Sequence, residues 1–190
     1  MKHHENVKII AFVGLTGSGK STAVDYLTEK GYPKVYFGGI FYEAMKEAGL
    51  TPGDWAVETP FRKAIREKEG KEFIAKRVVK QTRNLIEAGQ HRIILDGLYS
   101  WSEYKLLKHE FPGEMTVVAV ITQKRLRKRR LAERPERPLT SVEVDERDWA
   151  EIENVEKGGP IAIADYYLMN DKDTDNLHSQ IDDLLAHIEF

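Results

Sequence analysis

Cysteine is absent from this chain of 190 residues. That excludes a disulfide framework and any thiolate metal site, and it fits a reducing cytosol. Long apolar runs are missing too: none approaches the roughly 20 residues that a membrane-spanning helix needs. The opening stretch Met1-Lys2-His3-His4-Glu5-Asn6 lacks the apolar segment of a secretory signal. A cytoplasmic protein with no membrane partner is therefore expected, with His3 and His4 as tail residues outside any metal site. Neither sign of charge dominates, since 29 Lys and Arg stand against 31 Asp and Glu for a formal net charge of −2. The whole molecule thus offers no long-range attraction to nucleic acid. Internal repeats and low-complexity segments are also lacking, and the length suits a single domain with a full core.

What is present is concentrated first at Gly14-Leu15-Thr16-Gly17-Ser18-Gly19-Lys20-Ser21. This octapeptide fits the phosphate-binding pattern G-x-x-x-x-G-K-[ST]. It follows the apolar run 7–13 and precedes an amphipathic pattern, beginning at Ser21 and Thr22, that closes near Gly31. Small residues let successive backbone N–H groups face one concavity, and the helix behind it presents its positive end to the same anion. Residues Gly14 to Thr22 are therefore expected to hold the phosphates of a nucleotide. Lys20 would set a point charge on the β- and γ-phosphates, and Ser21 would offer its hydroxyl to Mg²⁺. The alternative is a glycine-rich turn that only joins a strand to a helix.

Short apolar runs at 7–13, 34–37, 92–95, 115–121 and 166–169 alternate with longer helical patterns. That alternation predicts an α/β fold: a three-layer P-loop NTPase architecture with about five parallel strands. About fifty residues separate the second and third strands, too many for one crossover helix. Helical patterns near 39–49, 59–68 and 71–88, broken at Thr51-Pro52-Gly53-Asp54 and at Gly70, predict a helical insert. A second excursion runs from Lys124 to Pro160. It holds an arginine-rich helix, a break at 134–140, and a helix from Val142 to about Lys157 with Thr140 or Ser141 as its N-cap.

Asp96 closes the third strand and Gly97 follows, so its carboxylate is expected at the carboxyl edge of the sheet, where open α/β folds bind ligands. An acid there can organise the water shell of Mg²⁺ or take a proton from an attacking hydroxyl. The competing reading is a capping role toward the helix that begins near Ser100 or Ser102.

The helix from Lys124 carries a cluster of cations that includes Arg127, Arg130, Arg134 and Arg137. These four recur at intervals of three or four and share a face for as long as the helix persists, although Pro135 interrupts it. A solvated basic face, a nucleic-acid patch and a lid over transferring phosphates are the three explanations. A strand binder would need interleaved aromatics and a basic balance elsewhere, and both are lacking. A phosphoryl-transfer lid needs cations delivered where charge spreads over the equatorial oxygens. Remaining cations are expected to be solvated or paired with Glu143, Glu146 or Asp148.

The order of these parts resembles the nucleoside-monophosphate kinase group of P-loop proteins, and within it the dephospho-coenzyme A kinase-like branch with its archaeal nucleotide kinase-like members. The resemblance rests on Gly14 to Ser21, on Leu95-Asp96-Gly97, on Arg130-Leu131-Ala132-Glu133-Arg134, on Arg147-Asp148-Trp149-Ala150-Glu151 and on the segment from Ala164 to Asn170. It implies one domain with a core of residues 7–37, 89–123 and 159–190, an acceptor-binding insert at about 38–88 and a lid at about 124–158. It also implies that Arg130 and Arg134 are lid arginines.

Two departures bear on the substrate. Monophosphate kinases of this group carry Gly-Asp-x-x-Arg after the second strand, whereas this chain reads Gly38-Gly39-Ile40-Phe41-Tyr42. An arginine soon after the Asp-Gly pair is also replaced, here by Leu98-Tyr99-Ser100-Trp101. A bidentate guanidinium contact to an acceptor phosphate is lost each time. Arg62, Arg66, Lys76, Arg77 or Arg83 could substitute, with Arg66 preferred because it follows Ile65 on a helix that could face the cleft. Tyr42 and Tyr99 are the aromatic candidates for the acceptor wall, among Tyr36, Phe37, Phe41 and Trp101, most of which are expected in packing roles.

The expectation is an ATP-dependent small-molecule kinase acting on a nucleotide-like acceptor, of nucleoside monophosphate or dephospho-coenzyme A type. Catalytic roles fall to Lys20, Asp96, Arg130 and Arg134, and metal contacts to Ser21 and Asp96. The alternative is a P-loop ATPase that switches a partner without any small acceptor. A nucleic-acid binder using the basic helix is the third and weakest reading.

Overall fold

In the computed structural model, which describes residues 6–53 and 55–190 apart from the side chains of Trp55 and Thr59, five strands form one wholly parallel sheet. The tail with His3 and His4, and Asp54 of the Thr51–Asp54 break, lie outside the described residues. Chain order is β1 (Lys8–Val13), α1 (Lys20–Glu29), β2 (Lys34–Tyr36), α2 (Phe37–Glu47), α3 (Trp55–Glu69), α4 (Phe73–Glu87) and β3 (Arg92–Asp96). It continues through α5 (Trp101–Glu110), β4 (Met115–Ile121), α6 (Lys124–Ala132), α7 (Ser141–Glu153), α8 (Gly158–Ala162), β5 (Tyr166–Met169) and α9 (Thr174–His187). Across the sheet the strands run β2-β3-β1-β4-β5.

The central strands β3, β1 and β4 are buried on both faces, which is why they read as nearly continuous apolar runs. On β1 the odd residues Ile9, Ala11 and Val13 enter one core with α2, α4 and α5, whereas Ile10 and Phe12 enter the other with α1 and α9. Among the described residues no helix is long and apolar enough to cross a membrane.

Caps follow the sequence signals. Ser100 begins α5 with a capping box: Glu103 N–H donates to Ser100 Oγ (3.2 Å) and Ser100 N–H to Glu103 Oε2 (3.0 Å). Thr140, rather than Ser141, does the same for α7 through Glu143. Thr140→Ala should cost about 1 kcal/mol in urea unfolding with little change in nucleotide affinity; an unaltered midpoint would deny the cap any energetic weight.

Several boundaries differ from the sequence expectation. β2 ends at Tyr36, and α2 begins at Phe37 instead of residue 39. The buried positions Phe37, Ile40, Phe41, Ala44 and Met45 show the helical spacing that sets this start, which Gly38 and Gly39 disguise because glycine disfavours helix. α3 starts at Trp55 and carries Pro60 inside it, where a helix start near 59 was expected. Pro60 is the sixth residue of α3, so it removes one backbone bond to the first turn, a loss confined to that end of the helix. Finally, α7 stops at Glu153, short of Lys157. Glu156 turns to a φ of +59°, and Gly158-Gly159-Pro160 opens the separate α8.

Candidate functional site

β1 and β3 are neighbours in parallel register, with Phe12 opposite Asp96, so the loop leaving β1 and the carboxylate ending β3 emerge side by side. This lies at the carboxyl edge of the sheet, where strand order departs in both directions from β1. Residues 14–19 form the loop, and Lys20 opens α1.

Sequence dictates the loop's shape at two glycines. Gly17 and Gly19 hold φ of +83° and +93°, the left-handed region that side chains disfavour. A side chain at Gly17 would also strike Leu131 of α6, and one at Gly19 would overlap Asn170. The loop is then buttressed from three elements. Asn170 Nδ2 and Thr122 Oγ1 each donate to Ser18 O at 2.8 Å, and Arg127 Nη1 donates to Thr16 O at 3.0 Å. Asn170 sits at the turn after β5, its own carbonyl taking a bond from Arg130 Nη1 (3.0 Å), with Thr122 Oγ1 3.1 Å away.

The residues present fit a phosphate chain. Ser18 Oγ is buried against Gly14 at the base of the loop and has no hydrogen-bond partner among the described residues. A helix start supplies amides with no acceptor inside the helix. Lys20 Nζ donates to Asp96 Oδ1, with the two side chains only 16% and 9% exposed. Among the described residues no group of three or more His, Asp or Glu is arranged to hold a metal ion alone. Mg²⁺ takes one or two protein ligands and shares the rest with phosphates and water. Ser21 and Thr22, on the exposed first turn of α1, and Asp96 across from them are the oxygens available.

Beside Asp96 two tyrosines flank the crevice. The Tyr36 ring rests against Gly38 and Gly39, and the Tyr99 ring against Gly97, whose φ is +110°. Gly38 and Gly39, the latter standing where the Gly-Asp-x-x-Arg pattern has its aspartate, thus serve as a floor for an aromatic side chain. Burial raises the Tyr99 phenol well above its ordinary pKa, with nearby Tyr36 and Asp96 pushing the same way. Burial likewise raises Tyr36, aided by Tyr42 and Asp96. Both therefore stay protonated donors at neutral pH.

The far wall comes from α3. Arg62 lies over the Phe41 ring, 4.0 Å from its centroid, and burial lowers its pKa, with Arg66 adding repulsion against Glu58, Tyr99 and Tyr42. Arg66 Nε is buried without a hydrogen-bond partner among the described residues. Glu103 feels Arg66 electrostatically, although burial still raises its carboxyl. Tyr36, Tyr42, Tyr99, Arg62 and Arg66 are thereby brought together. Of the other aromatics, Phe37 and Phe41 are core, and Trp101 stacks on Tyr104 at 5.2 Å.

The arginine-rich helix is shorter than its charge run. α6 ends at Ala132, so Arg134 and Arg137 lie beyond it, and the shared face is confined to Arg127 and Arg130. Arg127 is buried in a bidentate pair with Asp148, and Lys124 and Lys128 pair with Asp145 at 2.6 and 2.7 Å. Arg130 donates to the carbonyls of Asn170 and Lys172, Arg137 Nη2 donates to Gly53 O at 3.3 Å, and Arg134 is exposed. The residues that sequence reasoning missed here are Glu151 and Lys157. Thr16 Oγ1 donates to Glu151 Oε1 at 2.6 Å, and Lys157 Nζ pairs with Glu151 Oε2 at 2.9 Å. Lys157 carried no signal because it was expected at the end of the helix from Val142, which in fact stops at Glu153.

With this geometry in place, comparisons give the family context. Residues 10–156 match a family model described as AAA domain. A UPF0200 protein of Thermococcus kodakarensis is 32% identical over 185 residues, covering 95% of this chain and 97% of its own. Among solved structures, a dephospho-CoA kinase from Campylobacter jejuni superposes with a TM-score of 0.62 at 16% identity, over 95% of this chain and 96% of that one. A shikimate kinase from Bacteroides thetaiotaomicron gives 0.59 at 13%, over 96% and 99%. At such identities the two structures establish the fold, that of a P-loop kinase.

Proposed function

This chain belongs to the AAA domain family and to the UPF0200 proteins, and from that premise we propose that it is an ATP-dependent kinase acting on a small nucleotide-like acceptor. The observation that carries the reading is the pairing of Lys20 with Asp96 at the mouth of a crevice walled by Tyr36, Tyr99, Arg62 and Arg66. A loop for the donor's phosphates and a carboxylate able to meet an acceptor oxygen stand together there.

In this reading residues 38–88 form the acceptor-binding insert and residues 124–158 the lid over the core. The backbone of residues 14–22 and the Lys20 ammonium hold the triphosphate, and Ser21 and Asp96 hold Mg²⁺. When bound, Mg²⁺ neutralises charge on the β- and γ-phosphate oxygens. The γ-phosphorus separates from the bridging oxygen of ADP as it bonds to the acceptor oxygen. Asp96 takes the proton where that oxygen is a hydroxyl, as in dephospho-coenzyme A; an acceptor phosphate needs no base. Arg130, fixed on the turn after β5, positions Asn170 and the loop behind it. Arg134, exposed beyond α6, is the cation that lid closure could bring over transferring charge. Tyr42, Tyr99 and Arg66 face the acceptor, whose anionic group would satisfy the unpartnered Arg66 Nε.

The test is release of ADP against a panel of nucleoside monophosphates and dephospho-coenzyme A with Mg·ATP in excess. Turnover that depends on one acceptor supports the kinase; turnover indifferent to every acceptor points to an ATPase switch instead. Once an acceptor is found, Arg66→Ala should raise its KM about tenfold or more, the loss of one charged hydrogen bond, with ATP affinity near wild type. An unchanged KM would remove Arg66 from the acceptor site.

A further inference from the structure

Between the phosphate loop and the Tyr99 wall sits a buried ion pair that the scheme above leaves unused. Lys157 lies in the break between α7 and α8, immediately after the left-handed turn at Glu156. Its side chain is 4% exposed, and its Nζ stands 4.8 Å over the Tyr99 ring centroid. Glu151, its partner, is anchored on the phosphate loop itself: besides the Thr16 hydroxyl it accepts the Thr16 backbone N–H, at 3.3 Å. The ammonium is thus carried by the lid side of the molecule to the junction of donor loop and acceptor wall.

The surrounding charges ask for an anion. Burial lowers the pKa of Lys157, and the nearby charges of Arg147 and Lys20 add to that against the pull of Glu151. Burial raises the carboxyl of Glu151, yet Lys157 and the Thr16 hydroxyl bring it below its ordinary value. Among the described residues each of the two ammonium groups has one carboxylate partner, Asp96 for Lys20 and Glu151 for Lys157. Burying a lysine is costly, and a structural ion pair alone does not explain why that pair is tied to the phosphate loop through Thr16. Arg127 and Arg130 meanwhile spend their guanidinium groups on Asp148 and on backbone carbonyls.

We propose that Lys157 is the cation that meets the γ-phosphoryl group from the acceptor side, and that Glu151 is a positioning residue holding Lys157 against the phosphate loop through Thr16. The proposal rests on the nucleotide-binding kinase reading and assigns within it the source of charge compensation opposite Lys20. A lysine suits the place because its compact charge and three donors follow oxygens whose bonding changes, without the fixed plane of a guanidinium.

Calorimetry on the full chain with Mg·ATP and Mg·ADP separates this proposal from its parent. Lys157→Met, checked for folding by thermal melting, should erase about tenfold or more of the preference for ATP over ADP, as loss of one charged contact implies. Its ADP affinity should stay close to wild type, and Lys157→Arg should recover part of the preference. Glu151→Gln, which keeps the hydrogen-bonding shape and removes the opposing charge, should shift the ATP-to-ADP ratio toward ATP. An unchanged ratio in Lys157→Met overturns the proposal while leaving nucleotide binding intact. Should that variant not fold, an unchanged ratio in Glu151→Gln overturns it equally. Wild-type protein that takes up neither nucleotide sinks both the proposal and the reading beneath it.

Discussion

Lys20→Ala is expected to abolish nucleotide-dependent turnover and to weaken Mg·ATP binding by about two orders of magnitude, the larger end of what a charged hydrogen bond contributes. The ammonium is the one side-chain charge that the loop itself carries, whereas the amides supply only partial charges. The same substitution acts on the protein without nucleotide. Asp96 is left mostly buried between β1 and β2, beside two protonated tyrosines and without its lysine. Leaving a carboxylate unpaired is costly, so Lys20→Ala should also destabilise by about 1–3 kcal/mol, below the range for a fully buried pair because the crevice mouth admits water. Asp96→Asn in the same background removes the orphaned charge and should restore stability without restoring ATP binding. Calorimetry and urea unfolding read the two effects separately. Wild-type ATP affinity in Lys20→Ala would end the donor-site assignment.

The parts of this site that were legible in sequence are those whose chemistry forces a local pattern. The loop 14–21 needs glycine at two left-handed positions and a lysine at a helix start, and no other order of residues serves. β4 reads correctly to the residue because a parallel strand covered on both faces is apolar nearly throughout, and β5, at the sheet edge with Tyr167 and Met169 exposed, keeps a short apolar run of its own. Asp96 stood out because a charge at the end of such a run has few structural reasons to be there. What stayed hidden depends on tertiary meetings. Asn170 looked like an ordinary turn residue, and only the approach of β5's end to Gly19 reveals it as a brace for the loop. Gly38 and Gly39 looked like a lost phosphate site until Tyr36 was seen lying on them. Arg134 and Arg137 seemed to share a face with Arg130 because the charge run outlasts the helix, which ends at Ala132.

The basic run also conceals a buried bidentate ion pair, and its loss should be a large stability effect. Arg127 Nη1 and Nη2 reach Asp148 Oδ1 and Oδ2 at 2.8 and 2.6 Å, with the two side chains 5% and 8% exposed. Asp148→Ala strands a guanidinium that cannot be neutralised, and should cost about 3–5 kcal/mol. For a domain of this size that corresponds to a fall in Tm of roughly 6–20 °C. Arg127→Met/Asp148→Leu removes both charges and fills the space, so it should regain most of the loss. Stability and function then part company, because Arg127 also donates to Thr16 O, in the loop on which Glu151 is anchored. The double variant cannot make that bond, and should keep a weakened affinity for Mg·ATP after its Tm has recovered. A double-mutant cycle by urea unfolding, run beside nucleotide titration, measures the pair and the loop contact independently. If Asp148→Ala costs under about 1 kcal/mol, the pair is no more than a surface bridge in energy. If nucleotide affinity recovers together with stability, the bond from Arg127 to Thr16 has no part in shaping the loop.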